Sequence, residues 1–226
     1  MRMPGTIPAE NSAPIETPVV TPMMTIKMAE EISGFSSAGR LLSALNRNNY
    51  FTEKSIRSEA VYQYHPLFRE FLQSQAKETI SHESLLTLFH RAASLLDEDG
   101  QIEAAVSFLG EVSDWEGLVR LITKQAPLMV EQGRTRPLEE WLNSLPPVVL
   151  ENNPWLLFWM GICSLPVSPS RSQPYFEEAY QKFKSRGDIT GIIQSCWGIV
   201  HSIMNTTGDY APLDRWILYW KSLGGL

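Results

Sequence analysis

The fold is decided by the stretch from Tyr62 to Leu72, which reads Tyr-Gln-Tyr-His-Pro-Leu-Phe-Arg-Glu-Phe-Leu. Its first residues have the pattern of a strand, and the residues after Pro66 have the pattern of a helix. Residues 60–64 are rich in aromatic and β-branched side chains, which indicates a short strand. Pro66 suits the first position of a helix, where its missing N–H costs no hydrogen bond. The apolar residues after it fall on one helical face: Leu67, Phe68, Phe71 and Leu72. We therefore predict a strand up to residue 64 and a helix from residue 66.

The residues before this stretch predict a helix and a second strand. Leu41, Leu42 and Leu45 form one apolar face over residues 36–48, which indicates an amphipathic helix. Residues 50–52 read as a short strand, and the polar residues 53–59 read as the turn of a hairpin. A helix, a β-hairpin and a helix form the end of a winged-helix fold. We assign this winged-helix remnant to residues 34–80.

The N-terminal segment is rich in proline and threonine. Because proline removes a hydrogen-bond donor and restricts the residue before it, such a segment resists regular structure. We predict that residues 1–33 are disordered. The prolines that interrupt any helical or strand periodicity are Pro4, Pro8, Pro14, Pro18 and Pro22.

From residue 81 onward the sequence predicts helices and an internal repeat. A glycine or proline is followed five residues later, and again four residues after that, by apolar residues. The repeat starts lie about 33 to 41 residues apart, as in tetratricopeptide-type helix pairs, which stack into a superhelix. An irregular helical bundle with chance spacing is the alternative. The four sets are Gly100, Ala105 and Leu109; Gly133, Leu138 and Leu142; Pro174, Ala179 and Phe183; Gly208, Leu213 and Ile217.

Composition and charge narrow the functional classes. The formal net charge is −6, with no basic stripe, which disfavours direct binding to nucleic acid. No apolar run approaches the length that crosses a membrane, and no signal peptide is visible, so we expect a cytoplasmic protein. Two isolated cysteines, Cys163 and Cys196, fit a reduced compartment.

The segment Tyr62–Leu72, together with Leu45–Phe51 before it, resembles the winged-helix end of the ATPase module in MalT-like regulators. These are large ATP-dependent LuxR-family transcriptional regulators of the STAND class. The Gly100–Trp115 stretch is similar to the first helical repeats that follow this module, and residues 141–142, 153–157 and 209–217 are similar to its superhelical region. The resemblance implies a mainly α fold, in which a winged-helix remnant with a short β-hairpin precedes a TPR-like α-superhelix at residues 81–226.

The family's other functional parts have no counterpart in this sequence. The resemblance implies a nucleotide-binding domain before the winged helix, a helical sensor after it, and a terminal helix-turn-helix that binds DNA. No G-x-x-x-x-G-K-[ST] phosphate loop and no basic helix-turn-helix occur in the sequence. We therefore expect a segment of such a regulator, with ATP bound only through a neighbouring domain and no cofactor or metal of its own.

Two sets of residues are candidates for binding. By resemblance, His65 is the winged-helix histidine that senses the β-phosphate of bound ADP; alternatively, it packs at the start of the helix between Tyr62 and Phe68. Trp155, Trp159 and Trp197 are candidates for an aromatic groove that holds a sugar or a peptide. The alternative for these rings is packing between helices.

The function that we predict is non-enzymatic sensing or scaffolding in signal transduction, because no catalytic constellation stands out. The chain is expected to bind a small-molecule inducer or a protein partner in its superhelix and to dock on the nucleotide-binding domain of the parent regulator. The sequence does not decide whether the chain self-associates through an exposed terminal repeat. The alternative function is a stand-alone TPR-like adaptor for protein–protein interaction, and an all-helical enzyme is the least favoured class.

Overall fold

The structure is a computed structural model that describes residues 22–48, 50, 52–56, 60–206, 210–211, 213–214, 216 and 218. It is mainly helical, with a small sheet near the N-terminus, which confirms the predicted fold class. The elements are β1 (Met24–Thr25), α1 (Ile26–Ser33), α2 (Ala38–Arg47), β2 (Thr52–Ile56), β3 (Ala60–Tyr64), α3 (Pro66–Thr79), α4 (His82–Glu98), α5 (Ile102–Glu111), α6 (Trp115–Glu131), α7 (Thr135–Ser144), α8 (Pro147–Asn152), α9 (Pro154–Ser164), α10 (Pro169–Arg186) and α11 (Ile189–Asn205).

The chain divides into two compact units, Met1–Phe108 and Leu109–Leu226. The sequence places the domain boundary earlier, at residues 80 and 81. The structure places it later because α4 packs against α1 and α3 of the first unit. The first unit therefore contains the winged-helix elements together with α4 and most of α5.

A three-stranded antiparallel sheet with the strand order β1-β3-β2 organises the first unit. Tyr62 on the central strand β3 is almost fully buried and lies in one core cluster with Ala29, Ala38 and Leu42. Its hydroxyl group is 2.9 Å from the Oγ atom of Ser43 on α2, so the one polar atom of this buried ring has a partner. The sheet and the first two helices therefore share one core.

The predicted disorder of residues 1–33 is wrong for residues 24–33, which form β1 and α1. The hydroxyl of Thr25 caps α1 by accepting a hydrogen bond from the backbone N–H of Met28. Gly34 ends the helix with a φ of +72°, a conformation that glycine adopts without strain. The proline pattern that indicated disorder stops just before this capped helix. Residues 1–21 lie outside the described residues.

The hairpin is formed by longer strands than the sequence indicates. Residues 52–56 form β2, although residues 53–59 read as the turn, because each residue of β2 pairs with a residue of β3 from Ala60 to Tyr64. The backbone oxygen of Thr52 also accepts a hydrogen bond of 2.7 Å from the side chain of Asn46 on α2. This bond fixes the edge strand to the preceding helix. The predicted helix start at Pro66 is confirmed.

The second unit consists of helices in which α10 packs against both α9 and α11. Its core is rich in aromatic residues, and Phe176 and Phe183 of α10 are fully buried there. Glycines allow close helix packing: a Cβ atom at Gly161 of α9 would lie 2.6 Å from the ring of Phe176. The glycine positions therefore fix how near α9 can approach α10.

Most apolar positions of the repeat register that the structure describes are buried, whereas Leu213 is partly buried and Pro174 lies exposed inside α10. Ala105, Leu109, Leu138, Leu142, Ala179 and Phe183 are all buried. Gly100 and Gly133 follow the ends of α4 and α6 and have φ values of +76° and +72°, as residues that terminate helices often do. Gly208 and Ile217 lie outside the described residues. The TPR-like superhelix itself stays a prediction. None of the described helices is long and apolar enough to cross a membrane.

Candidate functional site

His65 lies at the N-cap position of α3, with an exposed side chain. The backbone oxygen of His65 accepts a hydrogen bond of 3.0 Å from the N–H of Arg69, so the residue belongs to the first turn of the helix. Pro66 begins the helix, so the imidazole of His65 is attached directly before the first helical turn. An exposed ring at a helix N-terminus can reach a neighbouring domain, but the nucleotide-sensing role of His65 stays a prediction.

Trp155 and Trp159 occupy successive turns of α9, and both rings are partly buried. The ring of Trp155 meets the ring of Phe183 edge to face, with a centroid distance of 4.8 Å. The ring of Trp159 meets the ring of Phe158 in the same way at 5.0 Å. Edge-to-face contacts of this kind stabilise aromatic cores. The ring of Trp155 therefore packs between α9 and α10, and the ring of Trp159 packs against the same core cluster, while part of each ring reaches solvent.

The indole N–H of Trp159 is buried, and the described residues offer it no hydrogen-bond acceptor. An unpaired N–H of this kind carries a cost in free energy. Burial of the atom keeps a ligand from reaching it in this arrangement. Trp159 is therefore placed as a core residue with one unsatisfied polar atom.

Trp197 differs from the other two tryptophans because half of its surface is exposed. Its ring lies against the imidazole of His201 one turn later on α11, with a centroid distance of 4.9 Å and an interplanar angle of 31°. The side-chain Nδ2 atom of Asn205, a further turn along the helix, is 2.9 Å from the Nδ1 atom of His201. An open aromatic ring beside hydrogen-bonding groups is a suitable surface for a ligand.

Further exposed apolar side chains follow the same face of α11. They recur at helical spacing on either side of Trp197, while the adjacent face carries Ile192, Cys196, Ile199 and Ile203 into the core. An apolar surface that extends beyond the core-facing side of a helix is expected where that extension is covered in the working assembly. The exposed residues are Ile189, Ile193, Trp197 and Met204, and we call them the α11 face.

The two cysteines lie in the core of the second unit as free thiols. Burial, with a further contribution from the charge of Glu139, raises the pKa of Cys163 to about 12. Burial alone raises the pKa of Cys196 to about 11. Because the thiolate is the reactive form, neither residue is suited to nucleophilic chemistry at neutral pH. Within the described ranges no group of three metal-ligating side chains is close enough to hold an ion.

One open depression on the second unit could not be predicted from the sequence. It has a volume of about 370 Å³ and is lined by Pro174, Glu177, Glu178, Gln181 and Trp216. Trp216 also meets Tyr180 of α10 edge to face at 5.0 Å, so its ring is held on α10. Nothing in the sequence indicated that the carboxylates of Glu177 and Glu178 would lie beside Trp216.

The first unit has the class of fold that the sequence predicts, a winged helix built from α2, the β2–β3 hairpin and α3, with α1 and β1 added before it. Residues 19–84 match the family model for the MalT winged helix domain, which confirms the family resemblance seen in Tyr62–Leu72. Comparisons with curated proteins and with solved structures gave no match. Residues 19–84 are thus similar to the winged helix domain of MalT.

Proposed function

We propose that the chain is a non-enzymatic sensor segment of an ATP-dependent, MalT-like transcription regulator, which binds an inducer or a partner on its second unit. A winged helix domain of the MalT type, followed by helices, supports this proposal. The winged helix would dock on a nucleotide-binding domain, with the exposed His65 directed to the nucleotide. ATP would be held by that neighbouring domain and not by this chain.

The observation that carries the binding role is the exposure of the α11 face around Trp197. A half-exposed tryptophan is costly to leave in water unless something covers it at least part of the time. Tryptophan provides a large apolar contact area and one hydrogen-bond donor, the combination that sugars and peptides use. His201 and Asn205 place polar groups beside the ring. We infer that Trp197 is the central contact of the ligand.

Packing gives the α11 face a connection to the rest of the second unit. The backbone of Gly198, the residue after Trp197, lies against the ring of Phe176. A Cβ atom on this glycine would be only 2.6 Å from that ring. Phe176 contacts Phe158 of α9 with a centroid distance of 5.7 Å. A ligand that shifts α11 would therefore disturb the contacts of Phe176 with α9, because tightly packed cores transmit strain.

The experiment is a titration of the ¹⁵N-labelled chain with neutral oligosaccharides and short amphipathic peptides, followed through the tryptophan indole N–H signals. Single Trp→Phe variants assign the signals. We expect the signal of Trp197 to shift on binding and that of Trp141, which is 9% exposed, to stay unchanged. Trp197→Ala should abolish binding.

The matched control is Leu128→Ala on α6, because Leu128 is 49% exposed and Trp197 is 50% exposed. This variant should bind as the unchanged chain does. Equal loss of binding in both variants, or binding that leaves the Trp197 signal in place, contradicts the assignment of the α11 face. Binding of peptides alone, without any effect on a nucleotide-binding domain added in trans, would favour the stand-alone adaptor.

A further inference from the structure

The first unit contains a large apolar cavity that the function proposed above does not use. Its volume is about 690 Å³, within the range of about 300 to 1,000 Å³ that small-molecule pockets occupy. The walls come from the helices α1 to α5 and from residues of β1 and β3. All of these lining residues lie within the first unit, so the cavity is a property of that unit alone.

The cavity wall is almost entirely apolar. Its inner part is formed by buried residues that also hold the unit together, among them Met28, Leu42 and Leu96. Its rim carries exposed apolar side chains, with Phe35 69% exposed and Leu41 62% exposed. An apolar wall with an apolar rim favours an occupant whose larger part is a hydrocarbon body.

Arg69 is the one charged residue among the described residues that line the cavity. Its Nε atom is buried, and no described residue accepts a hydrogen bond from it. An Nε–H group that has lost water without gaining an acceptor carries a free-energy cost, which an anion bound to the guanidinium would relieve. The guanidinium group can donate two parallel hydrogen bonds to the two oxygen atoms of a carboxylate. We therefore expect the occupant of the cavity to carry a carboxylate.

Two polar residues near Arg69 in sequence also line the cavity and can add to the head-group site. Tyr64 ends β3, and burial raises the pKa of its hydroxyl, which therefore remains a hydrogen-bond donor at neutral pH. Gln73 lies one turn after Arg69 on α3 and offers amide donors. The buried hydroxyl of Tyr62 already has Ser43 as its partner, so it needs no hydrogen bond from a ligand.

The position of the cavity is fixed by a long-range pair of hydrogen bonds. The amide side chain of Gln101 accepts a bond of 2.9 Å from the N–H of Met23 and donates one of 2.8 Å to its carbonyl oxygen. These bonds hold the start of β1 beside the α4–α5 connection. Because Met23 and Met24 belong to the cavity wall, the pair keeps this side of the wall in place.

We propose that this cavity binds an aliphatic carboxylic acid, with its carboxylate on the Arg69 guanidinium and its hydrocarbon chain along the apolar wall between α1 and α4. This site is separate from the α11 face of the second unit, and either can fail without the other. The carboxylate forms two charge-assisted hydrogen bonds with Arg69. The hydrocarbon chain gives affinity through burial and the carboxylate gives selectivity.

The test uses the full chain and two probes of equal chain length, dodecanoate and dodecanol, each titrated below the concentration at which it aggregates. Calorimetry should show one dodecanoate bound per chain, and dodecanol should bind about tenfold or more weakly because it lacks the charge. Arg69→Gln should remove this preference by weakening dodecanoate alone. The control Arg91→Gln changes an exposed arginine of α4 that does not line the cavity, and it should leave both affinities unchanged.

A second variant tests the cavity itself. Ala76 lines the cavity and is only partly buried, so Ala76→Phe should fill the space without preventing folding. We expect it to abolish binding of both probes while the far-ultraviolet circular dichroism spectrum is retained. Equal affinity for the two probes, equal loss in the two arginine variants, or unaltered binding to Ala76→Phe overturns the proposal.

Discussion

The ring of Phe176 lies directly against the backbone of Gly198, so closely that a Cβ atom on that glycine would be 2.6 Å from the ring. Gly161 of α9 approaches the same ring equally closely from another helix. Phe176 is fully buried, so a shift of its ring would displace its neighbours in the core. The two glycines therefore determine how α9, α10 and α11 pack around a single side chain.

Gly198→Ala should destabilise the second unit by about 1–3 kcal/mol, because the added methyl group forces the ring of Phe176 to shift in a packed core. Urea unfolding followed by circular dichroism measures the change. The matched control is Gly110→Ala in α5, where a Cβ atom would meet nothing within 4 Å. That variant should be neutral or gain up to about 1 kcal/mol from helix propensity. Equal stability of the two variants would show that the contact is not tight.

Two serines of α11 give opposite expectations for the same substitution. Ser202 is fully buried, its Oγ atom is 2.7 Å from that of Ser172, and it donates a hydrogen bond of 2.8 Å to the carbonyl oxygen of Gly198. Ser202→Ala should therefore cost about 1–2 kcal/mol. Ser195 is equally buried, but its Oγ atom has no described partner.

Ser195→Ala removes a hydroxyl group that has lost water and gained nothing. It should leave the free energy of unfolding unchanged or raise it by up to about 1 kcal/mol. Thermal unfolding of the two variants measured side by side decides the matter. A loss of stability on Ser195→Ala as large as that on Ser202→Ala would mean that Ser195 does have a partner in solution.

The cysteines should be almost unreactive in the folded chain. Their pKa values of about 12 and about 11 keep both thiols protonated at pH 7, so a disulfide reagent such as DTNB should label the native chain far more slowly than the urea-unfolded chain. The labelling rate should rise about tenfold per pH unit from pH 7 to pH 9, since the thiolate fraction does so. Rapid labelling at pH 7 would contradict the burial of these thiols.

The same shifts predict how alkali affects stability. In the unfolded chain the thiols ionise near their ordinary pKa of 9.0, whereas in the folded chain they stay protonated. Their contribution to stability is therefore complete below pH 9 and is lost as the pH rises towards 12. Double substitution of Cys163 and Cys196 by alanine should make this part of the alkaline loss disappear in urea titrations at several pH values.

The sequence predicts the winged helix well because its signals are local. Pro66 marks a helix start, and the alternation in residues 60–64 marks a strand, whatever the rest of the chain does. Most of β2 was assigned to the turn because Glu53, Lys54 and Ser55 are polar, and these residues form a strand only because β3 provides partners. Short-range patterns do not report such cross-strand bonds.

The candidate site could be predicted only in part. The spacing of the tryptophans places them on helices, but burial depends on which helix packs on which face. Trp155 faces Phe183 of α10, while Trp197 faces solvent, and no pattern within α9 or α11 distinguishes them. The cavity beside Arg69 could not be predicted from the sequence, because its walls combine residues from Pro22 to Phe108 that come together only in the folded unit.

Trp155 and Trp197 should therefore respond differently to truncation. Trp155→Ala removes a ring that packs on Phe183 and Phe158, with centroid distances of 4.8 and 5.8 Å, and should cost about 3 kcal/mol of unfolding free energy. Trp197→Ala removes a half-exposed ring whose described contact is His201 of its own helix, and should cost less than about 1 kcal/mol. Urea unfolding measures both values. If Trp197→Ala loses as much unfolding free energy as Trp155→Ala, the ring of Trp197 belongs to the core and the α11 face cannot bind through it. If Trp197→Ala loses little unfolding free energy but no longer binds the ligand, the ring serves recognition and not stability.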